Sequence, residues 1–201
     1  ATTPEAVIQV YAARAWSWRG IFGVHTWISA KQPNADHYMR FEVMGWQLRR
    51  SDTAVRVTNG NPDGYWFGSK PELLRDIRGP EAEALIPRIA AAAQSYPHAG
   101  TYRVWPGPNS NTFTAHIARQ VPELRLDLPP TAVGKDFIPE GGLFAKAPSG
   151  TGYQLSLYGL AGVMLALEEG VEVNMLGLTL GIDLKNPALK LPGVGRIGMP
   201  D

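Results

Sequence analysis

The chain has 201 residues, with 19 basic and 18 acidic side chains and a formal net charge of +1. That length suits one sizeable core, and the lack of any block of like charge excludes a nucleic-acid groove or a polybasic membrane patch. The absence of cysteine excludes a disulfide scaffold, a thiolate metal site and a cysteine nucleophile, and no run of about 18 apolar residues is present to span a bilayer.

The chain begins Ala1-Thr2-Thr3-Pro4-Glu5 without Met, as a processed start would. Residues 6–14 (AVIQVYAAR) and 21–31 (IFGVHTWISAK) read as strands, being rich in β-branched and aromatic side chains. The break Trp16-Ser17-Trp18-Arg19-Gly20 between them reads as a turn that carries large aromatics. Gln32-Pro33-Asn34-Ala35-Asp36 is a loop, and 37–48 (HYMRFEVMGWQL) returns as the second arm of a hairpin. A further strand falls around Ala54–Val57, followed by a turn over 59–64 (NGNPDG).

Residues 80–95 give the clearest helix. Pro80 suits its first turn, Glu81 and Glu83 complement the positive end of the dipole, and Pro87 predicts a kink. Residues 100–105 (GTYRVW) read as a short strand or an extended entry to a helix over 109–120, which Pro122 stops. The stretch 126–150 is irregular, and Asp63-Gly64 and Lys135-Asp136 read as turn residues. From Tyr153 to Leu184 the chain is interleaved with Gly and carries few charges. Strands joined by tight turns fit it best, with a buried helix over 159–168 as the alternative.

The chemistry concentrates in residues 105–119, WPGPNSNTFTAHIAR. A Pro-Gly-Pro turn runs into Asn109-Ser110-Asn111 at a helix start, where unpaired N–H groups and the dipole favour an anion. The same residues are ordinary helix caps. Of His25, His37, His98 and His116, only His25 lies within an apolar strand, where a His calls for a partner. None has metal-ligand spacing, so no metal and no cofactor is expected. Nucleophilic catalysis needs a nucleophile, a base and a group to orient the base. Ser110, His25 and Glu42 are the candidates for those roles in that order. Asn109 and Asn111 would assist an oxyanion together with backbone N–H groups, and Trp105 and Trp27 would belong to an aromatic cluster lining a substrate cleft.

The segments VYAARAWSWRGIFGVHTWI, EVMGW, YWFG, RGPEAEALIP, YRVWPGPNSNTF and VPELRLDLPPTAVGKDF together resemble the bacterial domain of unknown function 3750 (DUF3750), from about Val7 to Phe137. That resemblance brings no assigned activity. It implies a bacterial origin and an envelope location, with an N-terminal hydrophobic segment removed. A second resemblance is to permuted papain-like proteins of the NlpC/P60-related, lecithin–retinol-acyltransferase-like and PPPDE type. These place a His on an early strand and a nucleophilic Cys later, at a helix N-terminus. Here His25 precedes Asn109-Ser110-Asn111 in that order, with Ser110 where the Cys would stand.

The expectation is therefore an α+β protein of permuted papain-like type. Its core would occupy 1–150, with an antiparallel sheet against two helices, and a β-rich extension over 151–201 would pack on that core. The expected function is a periplasmic hydrolase or acyltransferase cutting an amide or ester of a cell-wall peptide or a lipid acyl group. The alternative is a non-catalytic envelope binding or scaffold module of the same fold. A small molecule, peptide or lipid is the expected partner, with no nucleic acid, and the apolar C-terminal texture suggests peripheral membrane contact.

Overall fold

The computed structural model describes residues 3–199. It contains two antiparallel sheets and two α-helices, an α+β arrangement. The first sheet has five strands: β1 (Val7–Arg14), β2 (Val24–Lys31), β3 (Tyr38–Val43), β4 (Val55–Gly60) and β5 (Glu72–Arg78), in the order β4-β3-β2-β1-β5. Helix α1 (Pro80–Gln94) and helix α2 (Ser110–Gln120) cover one face of it, and the largest apolar cluster lies between them, with Ile8, Ile28, Phe41, Ile86 and Phe113 at its centre.

Several sequence expectations hold with shifted bounds. The turn after β1 is a 3-10 turn over Ser17–Ile21, so β2 starts at Val24. Helix α1 continues through Pro87 to Gln94. Of the two readings for 100–105 the strand is not formed: the segment leads without regular structure into the Pro-rich turn before α2. The turn expected over 59–64 starts late, since β4 pairs with β3 as far as Gly60. Strand β5 has no strand pattern in the sequence: its Glu-Leu-Leu-Arg-Asp-Ile-Arg run has the charge of a helix, yet it forms the edge beside β1.

The second sheet is a seven-stranded meander of β6 (Phe144–Lys146), β7 (Gly152–Leu157), β8 (Ala161–Ala166), β9 (Gly170–Met175), β10 (Leu178–Asp183), β11 (Ala188–Leu191) and β12 (Gly195–Gly198). Strands and tight turns therefore fill 153–184, and no helix occupies 159–168. Period-two alternation gives this sheet two unlike faces. Its polar residues point inward: Gln154, Glu172, Lys190 and Asn174 are all buried. Its aliphatic residues point outward, in cross-strand rows such as Phe144–Leu155–Val163–Val173–Leu180.

The inward face meets the first half of the chain across a seam of charge. Glu172 accepts from Lys135 and, at 2.9 Å, from Lys190, whose ammonium also reaches Asp127 at 2.6 Å. Asp136 accepts from Asn174 at 2.6 Å, and Arg119 of α2 donates to Gln154 at 2.9 Å. Lys135 and Asp136 lie in the expected turn, and both are buried here. A charge this far from water persists only when paired, and the flanking carboxylates hold the Lys135 ammonium well above its usual range despite burial. No helix among the described residues is long and apolar enough to cross a membrane.

Candidate functional site: a capped helix and an aromatic shelf on opposite sides of one sheet

Asn109 caps α2. Its side-chain oxygen accepts from the N–H groups of Asn111 (2.9 Å) and Thr112 (3.2 Å), while Thr112 Oγ1 accepts from the Asn109 N–H at 3.1 Å, a reciprocal capping box. The Asn109 amide donates to the carbonyls of Val104 and Val133, each at 3.0 Å. Asn111 donates to the Val24 and Val133 carbonyls at 3.0 and 2.8 Å and accepts from Thr26 Oγ1 at 3.0 Å. Gly134 is required here: its φ is +98°, and a Cβ would come within 2.5–2.8 Å of the Asn109 amide group. These bonds stitch the helix start to β2 and to the loop around Val133. The amides proposed for an oxyanion are thereby committed inside the fold.

Ser110 is 3% exposed. Its hydroxyl lies beside the Tyr102 phenol; burial raises the pKa of that phenol and the hydroxyl moderates the rise. The β2 side chain that reaches α2 is Thr26, which bonds the Ser110 carbonyl at 3.4 Å and Thr114 at 2.9 Å. His25, one residue earlier, points to the other side of the strand by the same alternation. Its ring stacks on Trp66 with centroids 3.7 Å apart and lies 5.8 Å from Trp27. No hydrogen bond joins Ser110 to His25 among the described residues.

The other two expected members do meet. His25 Nε2 lies 3.2 Å from Glu42 Oε2, and Arg40 donates to the same oxygen at 2.8 Å. Glu42 and Arg40 share the His25 side of the sheet because β3 pairs antiparallel with β2 and they sit two residues apart. The Arg40 guanidinium lies 4.0 Å from the Trp27 ring centre, a cation–π contact beneath the loop that covers this face. Trp27 is fully buried, stacked on Tyr11, and its Nε1 donates to the Pro62 carbonyl at 2.8 Å. It is a packing residue rather than a cleft wall. Trp105 is exposed, with its indole N–H tied to the Leu176 carbonyl at 2.8 Å, on the far side of the α2 start.

Burial draws the His25 pKa below its ordinary value, and the hydrogen bond and charge of Glu42 oppose that effect without reversing it. The folded state thus keeps His25 neutral where the unfolded chain protonates it. Stability from this group is complete above about pH 6.5 and falls as the pH drops below that value. Urea unfolding at pH 7.5 and 5.5 should show a larger loss for the wild type than for His25→Gln; equal losses would sink this assignment.

What this face offers to solvent is aromatic. Trp46 stacks on Trp66 at 5.6 Å, Phe67 meets Trp66 edge-on at 5.2 Å, and Trp16 lies 6.2 Å from Phe67. Trp16, Trp46 and Phe67 are about half exposed or more, at 60%, 49% and 58%. The shelf borders an open surface depression of about 470 Å³ whose polar lining includes Arg14, Ser17 and Ser69. Arg14 donates to three carbonyls, those of Gly20, Ile21 and Gly193 at 3.0–3.2 Å, and to no carboxylate among the described residues. Nothing in the sequence pattern singles out Phe67 or Arg14, which the chain reversal at Trp66–Ser69 and the 3-10 turn bring together.

Of the remaining histidines, His116 joins α2 to its surroundings, bonding Glu140 at 2.8 Å and the Ala92 carbonyl at 3.1 Å. No group of three or more His, Asp or Glu among the described residues could hold a metal ion. A family model described as a protein of unknown function (DUF3750) matches residues 5–137. No curated protein and no solved structure matches the chain.

Proposed function

This chain belongs to the DUF3750 family, and we propose that it is a non-catalytic binding module of the bacterial envelope whose aromatic shelf takes an acidic saccharide. The observation that carries this reading is the run of exposed rings, Trp16, Phe67 and Trp46, ending at an open depression with an unneutralised guanidinium. The faces of such rings carry negative quadrupole density, which suits the C–H edges of a pyranose. Arg14 supplies the charge that would fix a carboxylate substituent, and the open depression beside it leaves room for a sugar ring to lie across the shelf. In a bacterial envelope this chemistry describes the lactyl-bearing sugar of the cell wall.

A second reading is favoured by the His25–Glu42 hydrogen bond, the base-and-orienter half of a catalytic triad. It is a permuted papain-like serine hydrolase or acyltransferase acting on an amide or ester. It requires the Ser110 hydroxyl to leave Tyr102 and reach a ring on the other face of β2.

One pair of measurements separates the two. Titrating the disaccharide of N-acetylglucosamine and N-acetylmuramic acid against intrinsic tryptophan fluorescence should give a saturable change. Phe67→Ala or Arg14→Gln should weaken it by about tenfold, roughly 1.4 kcal/mol. A flat titration defeats the binding reading. Fluorophosphonate labelling of the wild type, lost in both Ser110→Ala and His25→Ala, would install the hydrolase in its place.

A further inference from the structure

The outer face of the second sheet is a broad apolar surface that the described residues leave uncovered. Directly paired residues of an antiparallel sheet share a face, so Tyr153, Leu165, Val171, Ile182, Leu189 and Ile197 form one unbroken row across β7 to β12. All six are exposed, as are Val163 and Val173 in the adjoining row. The sheet cannot turn this face inward, because its other face is locked to the seam through Glu172, Lys190 and Asn174. Within the rows there is no charge; Lys146, opposite Tyr153, sits on the β6 edge.

We propose that two copies of this chain stack these faces into a two-fold sandwich, each sheet becoming the inner layer of a shared core. Antiparallel sheets with aliphatic inner faces pack about 10 Å apart at roughly −30°. A two-fold contact needs a patch complementary to itself, and a charge-free aliphatic face meets that condition. Its extent also fits. Strand spacing of about 4.8 Å and a rise of about 3.3 Å per residue give a face of roughly 30 by 20 Å in plan. Corrugated by side chains, that approaches the ~800 Å² per partner of a standard stable interface, and it reaches the top of the 300–600 Å² range of patches left bare on monomers.

A bilayer is a poorer occupant. The six-residue strands β7 to β10 are shorter than the ~9–11 residues needed to span the hydrocarbon. The face also lacks the cluster of about 4–8 Lys and Arg that holds a protein on anionic lipid, and Lys185 at its rim is paired with Glu168 at 2.7 Å.

The test uses the whole chain. Sedimentation velocity of the wild type at about 100 μM, a concentration any standard interface saturates, should give twice the chain mass. Val173→Lys, which alters only an exposed side chain at the centre of the face, should give the single mass with an unchanged circular dichroism spectrum. The cysteine-free background supplies a second measurement that does not depend on tolerance of a buried lysine. A short bismaleimide should cross-link Val173→Cys to its own mate and leave Asp52→Cys, on an exposed loop, uncoupled. A wild type that stays at single mass, or a Val173→Cys chain that fails to couple, overturns the proposal. Flotation of a monomeric wild type with phosphatidylethanolamine–phosphatidylglycerol vesicles would overturn it in favour of lipid.

Discussion

Replacing Glu172 with Gln is expected to destabilise the protein by about 3–5 kcal/mol, the usual effect of removing one member of a buried ion cluster. Glu172 faces two ammonium groups, Lys135 and Lys190, in a site from which water is excluded. With Gln in its place, Lys135 loses its direct anionic partner, while Lys190 keeps Asp127. For a chain of this length the loss corresponds to roughly 10 °C in Tm. The double substitution Lys135→Met with Glu172→Leu should recover most of it, since hydrocarbon of similar volume replaces a buried pair without an uncompensated charge. Thermal and urea unfolding of the wild type and the two variants decide the matter. A cost below about 1 kcal/mol for Glu172→Gln would mean that water reaches the seam.

Trp27→Ala should cost about 3–5 kcal/mol through the cavity it leaves. The indole is fully buried, stacks on Tyr11 at 5.6 Å, carries the Arg40 guanidinium at 4.0 Å and pins the covering loop through Pro62. Losing it removes the floor beneath Trp66, 6.5 Å away, so the shelf should lose its saccharide affinity together with stability. Trp27→Phe keeps the hydrocarbon and gives up the indole N–H, and should fall between the two. Equilibrium unfolding measured beside the fluorescence titration checks both effects. An alanine variant as stable as the wild type would show that the loop over 61–69 does not depend on the sheet beneath it.

The sequence made β1, β2, β3 and both helices legible, because each carries a periodic apolar pattern between strong breakers. The cap at Asn109 was legible for the same reason: Asn-Ser-Asn after a Pro-Gly-Pro turn has few other uses. The His25–Glu42 pair was reachable from two strands of one hairpin. The link from His25 to Ser110 was not, since it hangs on the parity of one residue. Thr26, not His25, faces the helix, and no spacing along the chain reveals which side of a strand a distant helix will cover.

The second sheet was legible as strands and illegible as a surface. Alternation in GVEVNM and LTLGID announces period two, and the ordinary rule then puts Val, Leu and Ile inside. Here the rule is inverted by Lys135, Asp136, Asp127 and Arg119, which lie far away in the chain and look like loop or helix-surface residues until the fold assembles them.

The charged seam also sets how the molecule responds to heat. Hydrocarbon burial weakens on cooling and levels off as temperature rises, whereas the penalty for dehydrating ions keeps falling. The joint between the two sheets therefore gains on the core beneath α1 and α2 as the protein warms. On a slow thermal ramp the C-terminal meander should stay docked until the helices themselves give way, so that the two halves melt in one transition.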